Sequence, residues 1–244
     1  MNTAEVSEDP ESRMIGGNCI TMKVFRRIII ISAIVLLILA AVTAVSLILL
    51  RSRTDGINND FSAIYTNEKY SEPVYIDGVD VITQDVSCGY AVIEMFAAWC
   101  GKDITEESLY NEYGRVVTST GQSFCDEMNK QFPGYKTDIH KYLKNTELID
   151  LVYSSLAEGV PVPFEWAAQY EGEWTLHYSL VIGADIPADR ITVANPYGYI
   201  EELTVSEFLS RTTYEAYDNM PVFLKLGFAF GIFEKNTVFI VTKD

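Results

Sequence analysis

Positive charge is scarce in this sequence. Eighteen Lys and Arg stand against 34 Asp and Glu, a formal net charge of −16 over 244 residues. Nucleic-acid binding needs clustered cations against phosphate, so that class is excluded. A nucleotide partner is not expected either, because no Gly-x4-Gly-Lys-Ser/Thr run is present. Histidine is scarcer still, with only His140 and His177. No ligand cluster with two His at metal spacing can be drawn, so neither a metal nor another cofactor is expected. Four cysteines are too few for a disulfide scaffold. Internal repeats and low-complexity tracts are missing. Hydrophobic residues nevertheless make up 48% of the chain, enough for one sizeable core and far from a disordered composition.

The longest feature is apolar. Ile28 to Leu50 is an uncharged run of 23 residues, interrupted only by Ser32, Thr43 and Ser46. At about 1.5 Å per residue it spans a hydrocarbon core of roughly 30 Å. A cleaved signal peptide is the rival reading. The run exceeds the ~7–15 residues of a signal h-region, and no small-x-small site follows before Arg51 and Arg53. An uncleaved signal anchor is the preferred reading. Arg13, Lys23, Arg26 and Arg27 precede the run, against Arg51 and Arg53 after it. That bias puts the N-terminus inside. The expected organisation is a cytoplasmic tail over 1–27, a transmembrane helix over 28–50, a linker over 51–73 and an extracytoplasmic domain over 74–244. Cys88, Cys100 and Cys125 then lie outside the cytoplasm, and three is odd, so at least one thiol is free or intermolecular. Cys100 and Cys125 read as structural.

Within the outer part, short strands are expected between Val74 and Thr83. Cys88 to Cys100 is apolar nearly all round, with Ser87 as N-cap and Gly101 as stop, which reads as a buried helix. Further helices are expected over 105–113, 120–132 and 146–158. After Gly159 the period becomes that of strands, over 160–168, 175–182 and 190–194. Thr204 to Leu209 carries a Thr-x-x-Glu capping box. The end, 222–233 and 237–242, reads as a hairpin turning at Glu234-Lys235-Asn236. Helices first and antiparallel strands after make an α+β order.

The sharpest local signal is Gln84-Asp-Val-Ser-Cys88-Gly89. A cysteine in the first turn of a helix faces unpaired N–H groups and the positive end of the helix dipole, which favour thiolate. Gly89 would leave room for a substrate backbone. The bland alternative is a small buried hydrophobe. A thiolate needs a base, and there are two choices. His140 lies in a polar stretch, 136–144, and a solvated role is its default. His177 opens His-Tyr-Ser-Leu-Val-Ile-Gly183, a strand entering a sheet, where its ring must be hydrogen-bonded. Asn195, in Val193-Ala-Asn195-Pro196-Tyr-Gly198, returns near the level of His177 if the two segments pair. Its amide oxygen could then fix the imidazole tautomer. Taken singly, His177 has a structural histidine as its lesser alternative, and Asn195 an ordinary Asn-Pro turn.

As a set, Cys88-Gly89 on a central helix, Gly159-Val-Pro161-Val, His177 to Gly183 and Val193 to Gly198 resemble the bacteriocin-processing, double-glycine-type cysteine peptidases of the papain-like superfamily. The resemblance covers about Tyr75 to Lys243. It implies a papain-like fold, with a central Cys helix packed on a C-terminal antiparallel sheet and a transmembrane helix in front. It implies Cys88 as nucleophile, His177 as base, Asn195 as orienting residue in a position that is usually Asp in this family, and Gln84 as oxyanion donor. That glutamine lies closer to the cysteine than is common in the family. A pre-formed thiolate–imidazolium pair and hydrolysis of peptide or other amide bonds, peptidoglycan crosslinks included, are expected. The non-enzymatic alternative is a papain-like surface binding module with an idle triad.

Overall fold

The computed structural model describes residues 10–243, with no side-chain description for 10–21, 23 and 53. The first nine residues of the expected tail, and the side chain of Cys19, lie outside the described residues. The chain divides into two compact units, residues 1–49 and 50–244.

The first unit is dominated by α1, which runs from Pro10 to Thr54. Within it, Val24–Ser52 is long and apolar enough to cross a bilayer, and none of its most apolar window is buried inside the protein. Large apolar side chains left unpacked over that length need a non-aqueous neighbour or removal.

The second unit begins with turns rather than a free linker. Ile57, Ile64 and Tyr70 are buried. The Ile57 carbonyl accepts from the Asn145 N–H at 2.8 Å, and the Tyr70 hydroxyl donates to Asp150 at 2.6 Å. The stretch 51–73, expected as a linker, is therefore packed from Ile57 onward, because its few apolar residues fall where two short 3-10 turns, Ser62–Thr66 and Glu68–Tyr70, point them inward.

The helices α2 (Cys88–Trp99), α3 (Glu106–Tyr113), α4 (Gly121–Gln131) and α5 (Asn145–Ala157) follow the sequence signals closely. Ser87, Thr105 and Thr120 cap the first three, each accepting a backbone N–H of the first turn. The strands are β1 (Val74–Tyr75), β2 (Tyr135–His140), β3 (Val162–Tyr170), β4 (Glu173–Asp185), β5 (Arg190–Asn195), β6 (Tyr199–Leu203) and β7 (Thr237–Lys243), with α6 (Val205–Thr212) and α7 (Val222–Ala229) between the last two. They form one sheet in the order β2-β7-β3-β4-β5-β6, with β1 also on β4. Every pairing is antiparallel. Helix α2 packs on β4, the long central strand. Tyr90, Ile93, Met95 and Phe96 of α2 are fully buried; each such side chain is worth about 1.5–3 kcal/mol relative to exposure. The α+β fold class expected from the sequence is the one observed.

Three segments differ from expectation. Residues 136–144, read as a polar stretch, contain β2. Tyr135, Thr137 and Ile139 alternate onto the core side of β2, but Lys136, Asp138 and His140 between them make the stretch read as polar. β6 is likewise almost wholly polar or exposed. The segment 222–233 is not half of a hairpin: Val222–Ala229 is helix α7, and β7 pairs with β2 and β3 instead. A short run apolar on all sides has no period to separate strand from helix. Pro221 at its N-cap starts the helix.

Candidate active site

Cys88 is the first residue of α2. The loop before it is held from two sides. The Gln84 N–H donates to the Pro196 carbonyl at 2.8 Å, and Thr83 forms a bridge with Tyr197. The N–H groups of Asp85 and Val86 donate to the buried carboxylate of Glu106 at 3.0 and 2.6 Å. These contacts aim the start of α2 toward β4, so that Cys88 and His177 line one cavity of about 220 Å³. Glu165, Tyr178, Tyr214 and Phe233 line it too.

His177 sits on β4 and is 3% exposed. Its ring stacks on Tyr197, with centroids 4.2 Å apart. Its Nε2 lies 3.0 Å from the Asn195 amide oxygen. The register explains the meeting, since Leu180 opposes Ala194 and Asn195 therefore ends β5 beside the middle of β4. The same amide oxygen accepts from the Tyr197 N–H at 3.0 Å, and the Asn195 amide nitrogen donates to Glu201 at 2.9 Å. With Nε2 engaged by an acceptor, the other ring nitrogen, Nδ1, carries the free lone pair of the neutral imidazole.

Taken singly, each group is shifted toward its neutral form. Burial pushes the Cys88 thiol up, against the backbone N–H groups of Tyr178, Gly89 and Cys88 itself, and the charge of Glu165 pushes it further. Burial pushes His177 down to about 4, with the Asn195 contact opposing. Both shifts favour a neutral thiol and a neutral imidazole at rest, because a low-dielectric site disfavours either charge when no other ion balances it.

Two further readings are altered. Gly89 does not leave a gap for substrate: a Cβ there would meet Thr118 Oγ1 at 2.3 Å, so the space is filled by a neighbouring side chain. Gln84 is not among the residues lining the Cys88 cavity; it lines a second one with Tyr170, Glu171 and Tyr197, and its amide oxygen is buried without a protein partner. His140 lies on β2, at the edge of the sheet opposite β6 and three places from β4. Cys100 and Cys125 are free thiols, as is Cys88.

Tyr197, Glu201, Glu165 and Glu106 were not singled out from the sequence. Tyr197 had a signal, its place directly after Asn195-Pro196. The three glutamates had none, because an isolated Glu reads as surface until burial is known. Burial pushes Glu165 up to about 7, with Tyr178 and Lys141 opposing and Glu234 adding to the rise. Among the described residues, no group of three or more His, Cys, Asp or Glu is placed to hold a metal ion.

The family model for the Peptidase_C39-like family matches residues 76–221, more than half of the chain. No curated protein matches. Among solved structures, the chain is similar to a double glycine motif protease from an AMS/PCAT transporter, crystallised with the leader peptide. The identity is 15%, the match covers 70% of this chain and 98% of that one, and the TM-score is 0.43.

Proposed function

From a chain that belongs to the Peptidase_C39-like family, we propose a membrane-anchored, extracytoplasmic cysteine peptidase that hydrolyses peptide or related amide bonds. The observation that carries this reading is the shared cavity of Cys88 and His177, with His177 Nε2 engaged by Asn195. Cys88 Sγ attacks the acyl carbon while its proton passes to Nδ1 of His177. The tetrahedral intermediate collapses, the C–N bond breaks, and the amine leaves with that proton. Water, deprotonated by the same nitrogen, then cleaves the thioester and regenerates the thiol. The Cys88 N–H at the helix start supplies an oxyanion donor, and one such donor is worth about 3 kcal/mol. Peptide segments, peptidoglycan crosslinks included, are the substrate class, and α1 holds the enzyme at the membrane.

The same cavity also suits a binding module with an idle triad, and one measurement separates the two. Mass-spectrometric mapping of iodoacetamide-treated full-length protein near neutral pH should show Cys88 alkylated well ahead of Cys100 and Cys125, and slowed by about 10²-fold in His177→Gln, the scale of a lost general base. Equal rates at all three thiols would favour the module. In cells, surface peptides that depend on the wild-type protein and vanish with Cys88→Ala would identify the substrate.

A further inference from the structure

A neutral amide is an ambiguous partner for a histidine. Asn195 can present either its oxygen or its nitrogen to the ring, and the two choices select opposite imidazole tautomers. With oxygen toward Nε2, the ring keeps its proton there and Nδ1 is a base. With nitrogen toward Nε2, the proton must sit on Nδ1, and no lone pair remains for Cys88.

The surroundings of Asn195 resolve the choice. Its amide group is 0% exposed, so water cannot arbitrate. The Tyr197 N–H, a donor only, lies 3.0 Å from Oδ1. The Glu201 carboxylate, an acceptor when ionised, lies 2.9 Å from Nδ2. The other carboxylate oxygen of Glu201, Oε1, accepts from Nη1 of Arg211 on α6 at 2.7 Å. Both side chains are only 16–17% exposed. The guanidinium is itself held over the rings of Trp166 and Trp174, at 5.1 and 5.7 Å. Flipping the Asn195 amide would set Nδ2 against the Tyr197 N–H and Oδ1 against a carboxylate. Each is a buried mismatch of about 1–3 kcal/mol.

We propose that Glu201, clamped by Arg211, is a positioning residue that locks the Asn195 amide with its oxygen toward His177 and so sets the base tautomer. This rests on the reading of His177 as the base. The carboxylate stands one residue further out than in a direct His–carboxylate pair: Nε2–H donates to Asn195, Asn195 donates to Glu201, and Arg211 donates to Glu201 from the other side.

The test reads the tautomer directly. The full chain in detergent, labelled with ¹⁵N-histidine on a His140→Gln background, shows only the His177 ring in long-range ¹H–¹⁵N spectra near neutral pH, where burial keeps the ring uncharged. The wild-type ring should be the Nε2–H tautomer alone. Glu201→Gln, whose own amide can turn, should introduce the Nδ1–H form and slow Cys88 alkylation about tenfold, the loss equivalent to about 1.4 kcal/mol. The swap Glu201→Lys/Arg211→Glu keeps the ion pair but offers Asn195 a donor; it should drive the ring mostly to Nδ1–H. A purely structural ion pair predicts that the swap is silent. An unchanged tautomer in both variants would overturn the proposal. If the tautomer responds while Cys88 alkylates no faster than Cys100, the positioning device stands and the peptidase reading falls.

Discussion

Glu165 and His177 face the same cavity and should oppose one another in their effect on stability as pH changes. Burial raises the Glu165 carboxyl from 4.5 to about 7. The native state therefore holds a proton that the unfolded chain releases, so the stability Glu165 contributes is complete below pH 4.5 and is lost as pH rises toward 7. His177 falls from 6.5 to about 4. Here the unfolded chain takes up a proton that the native ring refuses, so stability is present above pH 6.5 and lost as pH falls toward 4. At about 1.4 kcal/mol per pH unit, each separation amounts to about 3 kcal/mol. The two slopes cancel over much of the window between pH 4.5 and 6.5, and substitution should unmask them. Relative to wild type, Glu165→Gln should gain about 3 kcal/mol from pH 4.5 to 7, on top of a pH-independent cost for the new amide. His177→Gln should gain a similar amount from pH 6.5 down to 4. For a unit of this size that is roughly 6–12 °C in melting temperature. Thermal melts of the full chain in a neutral detergent, taken every half pH unit, measure it, with His140→Gln as control. Subtracting wild type removes every other titrating group. A flat difference curve for either variant, or both slopes with the same sign, would refute the burial argument.

Gly89→Ala should destabilise the fold by about 1–3 kcal/mol, the cost of overpacking, because its Cβ would lie 2.3 Å from Thr118 Oγ1; Thr118→Ala in the same chain should recover part of the loss in denaturation midpoints. Asn195→Asp should place a second carboxylate 2.9 Å from Glu201 and lower the melting temperature above pH 6, whereas Asn195→Asp/Glu201→Gln should relieve the repulsion, giving a coupling of roughly 1–3 kcal/mol in a double-mutant cycle. Protease treatment of intact cells should release the acidic domain that follows residue 53; protection in intact cells with cleavage in inverted vesicles would reverse the orientation read from the flanking charges.

The apolar helix, the capped helices α2 to α5 and the pairing of β4 with β5 were legible because each is written locally. A cap, a stop or an alternation lies within a few residues of the element it defines. Cys88, His177 and Asn195 were legible for a related reason: each sits at an element boundary where its residue type is unusual. What local pattern could not supply was the electrostatic state of the site. A cysteine at a helix start and a histidine on a strand predict an ion pair. The enclosing Glu165, Tyr178 and Tyr214 come from β3, β4 and the chain after α6, and desolvation there works against either charge taken singly.

The amino-acid sequence by itself determined the apolar span, the α+β order and the family to which the chain belongs. These depend on composition and short-range spacing, which hold whatever the chain packs against. Only the tertiary structure decided that β2 and β6 are strands, that α7 is a helix, that Thr118 fills the space beside Gly89, and that Glu201 and Arg211 stand behind Asn195. Those outcomes turn on contacts between segments distant in the chain. A polar edge strand is stabilised by its neighbour's backbone rather than by its own side chains. A buried carboxylate is tolerated only where a donor from another element meets it.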